Sequence, residues 1–85
     1  MYTIEFTPSA LRDLNSVPKT IQKRIDNKIL SLIDNARPPN SKKLKGSDVL
    51  YRIRVGKFRI IYEIQNKKLI ILIIRIRFRD KVYKM

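Results

Sequence analysis

The segment Tyr51-Arg-Ile-Arg-Val-Gly-Lys-Phe-Arg59 constrains the fold more than any other, because its alternation and its turn together specify a β-hairpin. Apolar and charged residues alternate up to Val55, Gly56-Lys57 supplies the turn, and alternation resumes at Phe58. A two-residue loop pairs Val55 with Phe58 and sets Arg54 opposite Arg59, with Arg52 following on the same face. Like charges directly opposite each other on a sheet are destabilising. A chain that keeps them is expected to hold an anion there.

Composition suggests which anion. Lys and Arg number 20 against 7 Asp and Glu, a net charge of +13 on 85 residues, far beyond what solubility needs. Such a charge points to nucleic acid, a ribonucleoprotein surface, an anionic membrane or an acidic protein; a merely well-solvated basic surface is the bland alternative. The length is that of one small domain, spanning residues 1–85, with a compact core. Cysteine and histidine are both absent, which excludes disulfides and thiolate metal sites and removes the usual general base near neutral pH. No cofactor or metal is therefore expected. Met1-Tyr-Thr-Ile-Glu5 already alternates like a strand rather than a signal peptide, and the longest apolar run, Leu69 to Ile74, falls far short of the roughly 20 residues that span a bilayer. A cytoplasmic protein without a membrane partner is the expectation.

Tyr2, Ile4 and Phe6 mark a first strand, and Thr7-Pro8 reads as an N-cap followed by proline at the first helical position. A helix is expected over about Pro8 to Ser16, with Ala10, Leu11 and Leu14 inward, broken by Val17-Pro18. A second begins near Lys19, with Ile21, Ile25, Ile29, Leu32 and Ile33 at helical spacing. Arg37 to Gly46 is a basic, proline-containing loop. Strands then follow at about Val49–Val55, Lys57–Gln65 and Lys68–Arg77. The order β-α-α-β-β-β predicts an α+β fold, with two helices packed on one face of a small antiparallel sheet. The last strand is apolar at both parities, and pairing of the first and last strands in the middle of the sheet would protect it.

Tyr51, Ile53, Val55, Phe58, Ile60, Tyr62 and Ile64 form the face expected to meet the helices. The last strand ends in a second arginine row, Arg75-Ile-Arg77-Phe-Arg79. A simple turn at Asn66-Lys67 would put this row on the helix side, burying charge at high cost. One extra turn residue or a bulge brings it beside Arg52, Arg54 and Arg59 instead, and that register is expected; the alternative is a strand end twisting into solvent. The planar guanidinium binds phosphate bidentately and stays charged at any biological pH, so the concavity reads as a phosphodiester site, with Tyr83 as a phenol nearby. A non-catalytic phosphate-binding or protein-docking face is the competing reading.

Tyr2-Thr-Ile-Glu-Phe6 with Ala10-Leu-Arg-Asp-Leu14, Lys43-Leu-Lys-Gly46, Leu50 to Tyr62, and Val82-Tyr83 after Arg79 together resemble the RelE/ParE toxin superfamily of type II toxin–antitoxin modules, over nearly the whole chain. The resemblance implies the RelE-like microbial ribonuclease fold. For the RelE branch it implies a ribosome-dependent endoribonuclease that cleaves mRNA in the A site, the ribose 2′-oxygen attacking the adjacent phosphate to leave a 2′,3′-cyclic phosphate. It implies a catalytic role for Arg59 in stabilising the charged pentacoordinate phosphate, for Arg79 as the C-terminal catalytic arginine, for Arg52 and Arg54 in binding phosphate and favouring attack, and for Tyr83 in stacking on or orienting a base. Arg75, Arg77, Lys43, Lys45 and Lys57 fall among the further cations expected to contact RNA phosphates. Implied partners are the ribosome, mRNA and a cognate antitoxin with an acidic or amphipathic segment.

The chain departs from the pattern at one telling place: Phe78 stands where many relatives have histidine before the arginine matching Arg79. Some active relatives also have lysine where Arg52 and Arg54 stand, and arginine effectively cannot lose its proton. Glu63 and Asp80 are the nearby carboxylates, with salt-bridging the simpler role for each. A slow or strongly ribosome-assisted nuclease is expected. The alternatives are a ParE-like inhibitor of DNA gyrase without nuclease activity, and a non-catalytic basic RNA-binding module.

Overall fold

In the computed structural model, which describes residues 1–78, Thr7 does what its position next to Pro8 predicts. Its hydroxyl accepts from the Ala10 backbone N–H at 3.1 Å, and Pro8 opens helix α1 (Pro8–Asn15), following strand β1 (Thr3–Phe6). Val17-Pro18 separates α1 from α2 (Lys19–Ser31), whose Ile25 and Ile29 are buried. A short strand β2 (Lys42–Lys43) forms inside the basic loop that the sequence left without structure. Strands β3 (Leu50–Val55), β4 (Phe58–Gln65) and β5 (Ile70–Phe78) follow.

The five strands lie in the order β1-β5-β4-β3-β2. Two expectations need correction here. The sheet is mixed rather than antiparallel, since β1 runs parallel to β5, Thr3 beside Ile70 and Phe6 beside Ile73. The first and last strands do pair, but β5 is interior while β1 is the edge. Parity is blind to strand direction, because a strand shows the same alternating pattern to a parallel or an antiparallel neighbour. The apolar β5 is nonetheless shielded from the edge over Ile70 to Ile73, as its composition demands.

Both helices cover one face of the sheet, with α1 against β5 and α2 against β3. The core joins Ala10, Val17, Ile25, Ile29 and Leu32 to Ile53, Ile60, Tyr62, Ile64, Ile71, Ile73 and Ile76. Tyr62 is fully buried, and its hydroxyl donates to the Ala36 carbonyl at 2.8 Å, which makes its burial tolerable. Burial pushes its pKa up, though a hydrogen bond with Ser41 and the charge of Arg37 work against the rise.

One irregularity in β5 decides what the two faces carry. Tyr62 pairs with Ile73, but Ile61 pairs with Arg75, so Ile74 is an extra residue, a β-bulge. Before it, Ile71 and Ile73 face the helices; beyond it, Ile76 does, and Arg77 turns to the opposite face. The bulge is tied down from outside the sheet. The Thr7 hydroxyl donates to the Ile74 carbonyl at 2.8 Å, and the Thr7 N–H donates to the Ile73 carbonyl at 3.0 Å.

Past Phe6 the edge of β5 loses its neighbour, and Asp13 of α1 takes over. Its Oδ2 accepts from the Ile76 N–H at 2.9 Å and from Arg75 Nε at 2.8 Å, while Oδ1 accepts from Arg75 Nη2 at 3.2 Å. Burial alone would raise the Asp13 pKa; the bonds from Arg75 and Ile76, with the charges of Arg75 and Arg77, outweigh it and hold the carboxyl below its ordinary 3.8. A depressed carboxylate stabilises the fold above its unfolded pKa, and that contribution is lost as pH falls through the folded value.

Two outcomes follow from these contacts. Thr7→Val removes the cap and the bulge tether together, and chemical denaturation should show a loss of about 1–2 kcal/mol. Asp13→Asn should cost on the order of 1 kcal/mol at neutral pH, since the Arg75 side of the pair is partly solvated. In acid, well below 3.8, the denaturation midpoints of Asp13→Asn and the parent chain should converge.

Candidate nucleic-acid interface

The Gly56-Lys57 turn builds the site's first wall. Gly56 has φ +58, whereas Lys57 is not in the left-handed region, the pattern of a type II′ turn that favours glycine first. Val55 then pairs with Phe58 and Arg54 with Arg59, as the alternation predicts. On the other side of β4, Arg59 pairs with Arg77. Arg54, Arg59 and Arg77 therefore form one cross-strand row on the face away from the helices. The next row along runs Lys42, Arg52, Ile61, Arg75. The shifted register expected from the cost of burying charge is the one observed.

The cations on this face are not equivalent. Arg54 is exposed, Arg52 is partly so, and Arg59 is half-buried with its Nε shielded from solvent, so packing around its stem restrains the head group. Arg75 lies at the same register level but is held by the Asp13 carboxylate, which leaves it less charge to offer a ligand than the sequence suggests. Lys42, which was not singled out, stands beside Arg52, while Lys43 pairs with Tyr51 and so shares the helix-side parity. Lys45 and Lys57 are exposed in turns at either end of the hairpin region. Arg79, Tyr83 and Asp80 lie outside the described residues.

Further along, the face changes character. Ile61, Ile70, Leu72 and Ile74 are half-buried there, with Glu63 beside Leu50 and Leu72, and Glu5 beside Leu72. The surface thus runs from a basic end to an apolar band edged by two carboxylates. Glu63 accepts from the Gln65 side chain at 2.9 Å and lies four residues from Arg59, about 13 Å along the strand. That is too far to remove a proton from a group bound at Arg59. Phe78 pairs with Phe58 on the helix-side parity, where the rings meet edge-to-face with centroids 5.2 Å apart. Phe78 is thus a packing residue and not part of the basic row.

The sequence fits the family model for the ParE toxin of type II toxin–antitoxin systems over residues 4–83. It is 36% identical over 86 residues to a sequence from Methanocaldococcus jannaschii named RelE1, covering 98% of this chain and 96% of that one. The chain belongs to the RelE/ParE toxin superfamily. Its fold is similar to the crystal structure of the RelB–RelE antitoxin–toxin complex from Methanococcus jannaschii, with a TM-score of 0.77, 31% identity, and 94% and 95% of the two chains covered. It is also similar in fold to the isolated E. coli RelE toxin, with a TM-score of 0.83 at 22% identity, covering 99% of this chain and 93% of that one. The two helices on a five-stranded mixed sheet are therefore the RelE-type α+β architecture. Among the described residues no helix is long and apolar enough to cross a membrane.

Mutual repulsion in the arginine row has a measurable consequence. Arg54→Gln should raise the melting temperature slightly at low salt, by no more than about 1 kcal/mol of stability, with the gain vanishing as salt screens the row.

Proposed function

We propose that this RelE/ParE-superfamily toxin is a ribosome-dependent endoribonuclease that cleaves mRNA in the A site. The observation that carries the reading is the row Arg54–Arg59–Arg77, aligned across three adjacent strands on the open face of the sheet. Fixed cations aimed at one place suit a reaction in which negative charge accumulates on phosphorus-bound oxygens. The 2′-oxygen forms a bond to the adjacent phosphorus, the bond from phosphorus to the 5′-oxygen breaks, and the products are a 2′,3′-cyclic phosphate and a 5′-hydroxyl. Arg59, restrained by its shielded stem, would hold the phosphorane; Arg52 and Arg54 would bind the phosphate and favour attack. Arg77, Lys42 and the turn cations would steer the backbone, and Arg79 and Tyr83 would complete the site with a second cation and a base-stacking ring. Among the described residues no group beside the row accepts the 2′-proton, which would pass by way of water to the departing 5′-oxygen, so alignment of the 2′-oxygen and leaving oxygen by the ribosome would supply much of the rate.

The same face suggests how the toxin is silenced. A cognate antitoxin segment with acids over the arginine row and apolar side chains over Ile61, Leu72 and Ile74 would match its graded character. The solved RelB–RelE antitoxin–toxin complex of the archaeal relative supports an antitoxin as the partner. The protein would act in the cytoplasm, where ribosomes and mRNA are.

The matching family model is that of the ParE toxin, which favours a second reading: a gyrase poison on the same fold, using the basic face for binding alone. Induction in growing cells separates the two. Translation-coupled cleavage of transcripts is expected, relieved by the antitoxin. Arg59→Ala should lower cleavage by roughly 10²–10³ while the domain stays folded. Undiminished cleavage by folded Arg59→Ala would remove the role assigned to Arg59; intact transcripts with DNA-damage signalling would replace the nuclease by the gyrase reading.

A further inference from the structure

Arg54 borders more than the arginine row. Beyond β2 the edge of β3 is uncovered, and there α2 approaches the hairpin to leave a cleft of about 440 Å³ lined by Arg24, Asn27, Lys28, Ser31, Arg54, Val55 and Gly56. Its lining contains three cations, two neutral hydrogen-bonding side chains and no carboxylate. Among the described residues the ion pair is Asp13–Arg75, at another edge of the sheet, and no described acidic side chain pairs with Arg24, Lys28 or Arg54. The Arg24 guanidinium lies over the turn: a Cβ at Gly56 would meet its two terminal nitrogens at 3.8 and 3.9 Å. The hairpin register adds a backbone donor. Val55–Phe58 closes the two-residue turn as a hydrogen-bonded pair, so Arg54–Arg59 is a non-bonded pair, and the Arg54 N–H points away from β4 toward the uncovered edge.

A second cleft, lined by Asn40, Lys42, Arg52, Ile53 and Arg54, lies on the other side of Arg54 and is likewise free of acids. Arg54 is thus the shared wall between the sheet-face cations and the helix cations. We propose that the α2–β3 cleft is a second phosphate subsite, taking a backbone phosphate of the same RNA strand that lies on the arginine row. The strand then crosses the hairpin shoulder from the open face onto α2. Its chemistry favours a phosphodiester over an acidic protein segment, because the walls carry three cations, one amide and one hydroxyl, with Val55 the one apolar side chain. The assignment rests on the RNA reading of the arginine row for the identity of its ligand.

The test measures binding of a fluorescent 2′-O-methyl oligouridine, which cannot be cleaved, to the full chain across a range of salt concentrations. Arg24→Gln/Lys28→Gln should weaken binding roughly threefold to tenfold at moderate salt and reduce the slope of log affinity against log salt by about 1. Lys19→Gln/Lys23→Gln removes the same charge from α2 outside the cleft and should change the slope much less. Lys28→Gln alone, leaving Arg24 over the turn, should reproduce part of the effect with an unaltered melting temperature. Equal losses from the two double variants would overturn the subsite in favour of general net charge. An unchanged slope in Arg24→Gln/Lys28→Gln, or loss of binding to an oligoglutamate peptide with oligouridine binding intact, would also overturn it, the latter assigning the cleft to an acidic protein. Because the probe is uncleavable, these results are independent of whether Arg59→Ala abolishes nuclease activity.

Discussion

The single residue inserted at Ile74 governs what this small domain can be. β5 must present isoleucines to the helices over its first half and keep Arg77 out of the core at its end. A regular strand cannot do both with this spacing, because side chains alternate strictly and Ile71, Ile73, Arg75 and Arg77 share one parity. The bulge shifts parity once, so Ile76 replaces Arg75 on the inner face. Without that shift the core would meet two guanidinium groups, at a cost that an 85-residue domain has little apolar burial to offset.

A bulge weakens a ladder locally, and here the weakness is met by groups from the preceding elements. Thr7 caps α1 and binds the Ile74 carbonyl with one hydroxyl. Asp13, one and a half turns further along α1, satisfies the Ile76 N–H and Arg75 where β1 no longer reaches. Placement of α1 and placement of the arginine row are therefore one problem. The helix that looks remote from the basic face sets the register of the strand carrying Arg77, and Asp13 draws Arg75 out of the cationic set.

The hairpin, the N-cap, the two helices and most of the apolar faces were legible because each rests on local periodicity or turn chemistry; Leu11, expected inward, is instead exposed. The shifted register was legible for a different reason: Arg75 and Arg77 could not be buried, so an energetic veto selected it where pattern alone was ambiguous, while the choice of a bulge over a longer turn was made only by the structure. What escaped needed partners distant in sequence. Asp13 carries no local mark, since an aspartate in a helix reads as surface until Ile76 and Arg75 are brought to it. Arg24 and Lys28, four residues apart on α2, carry no local mark either, since only the fold brings the turn at Gly56 beside them. The direction of β1 was invisible for the reason that parity carries no sign.

The arrangement also separates charge stabilisation from proton transfer. Near the row, Glu63 is too far along β4, and Phe78 turns to the helix side to pack on Phe58. Tyr62 is buried with its proton committed to the Ala36 carbonyl. Tyr51 shares the helix-side parity and accepts a hydrogen bond from Arg37 at 3.0 Å. Among the described residues these groups are thus either committed to the fold or out of reach, and arginine itself stays protonated. On the nuclease reading, the cations lower the energy of the phosphorane and of the developing 2′-oxyanion, but they cannot select an attack geometry in a flexible strand. A row that binds phosphates without aligning them is a poor catalyst for free RNA. Dependence on a substrate held in place by another body then follows from the side chains themselves, with the toxin supplying charge and its target supplying alignment.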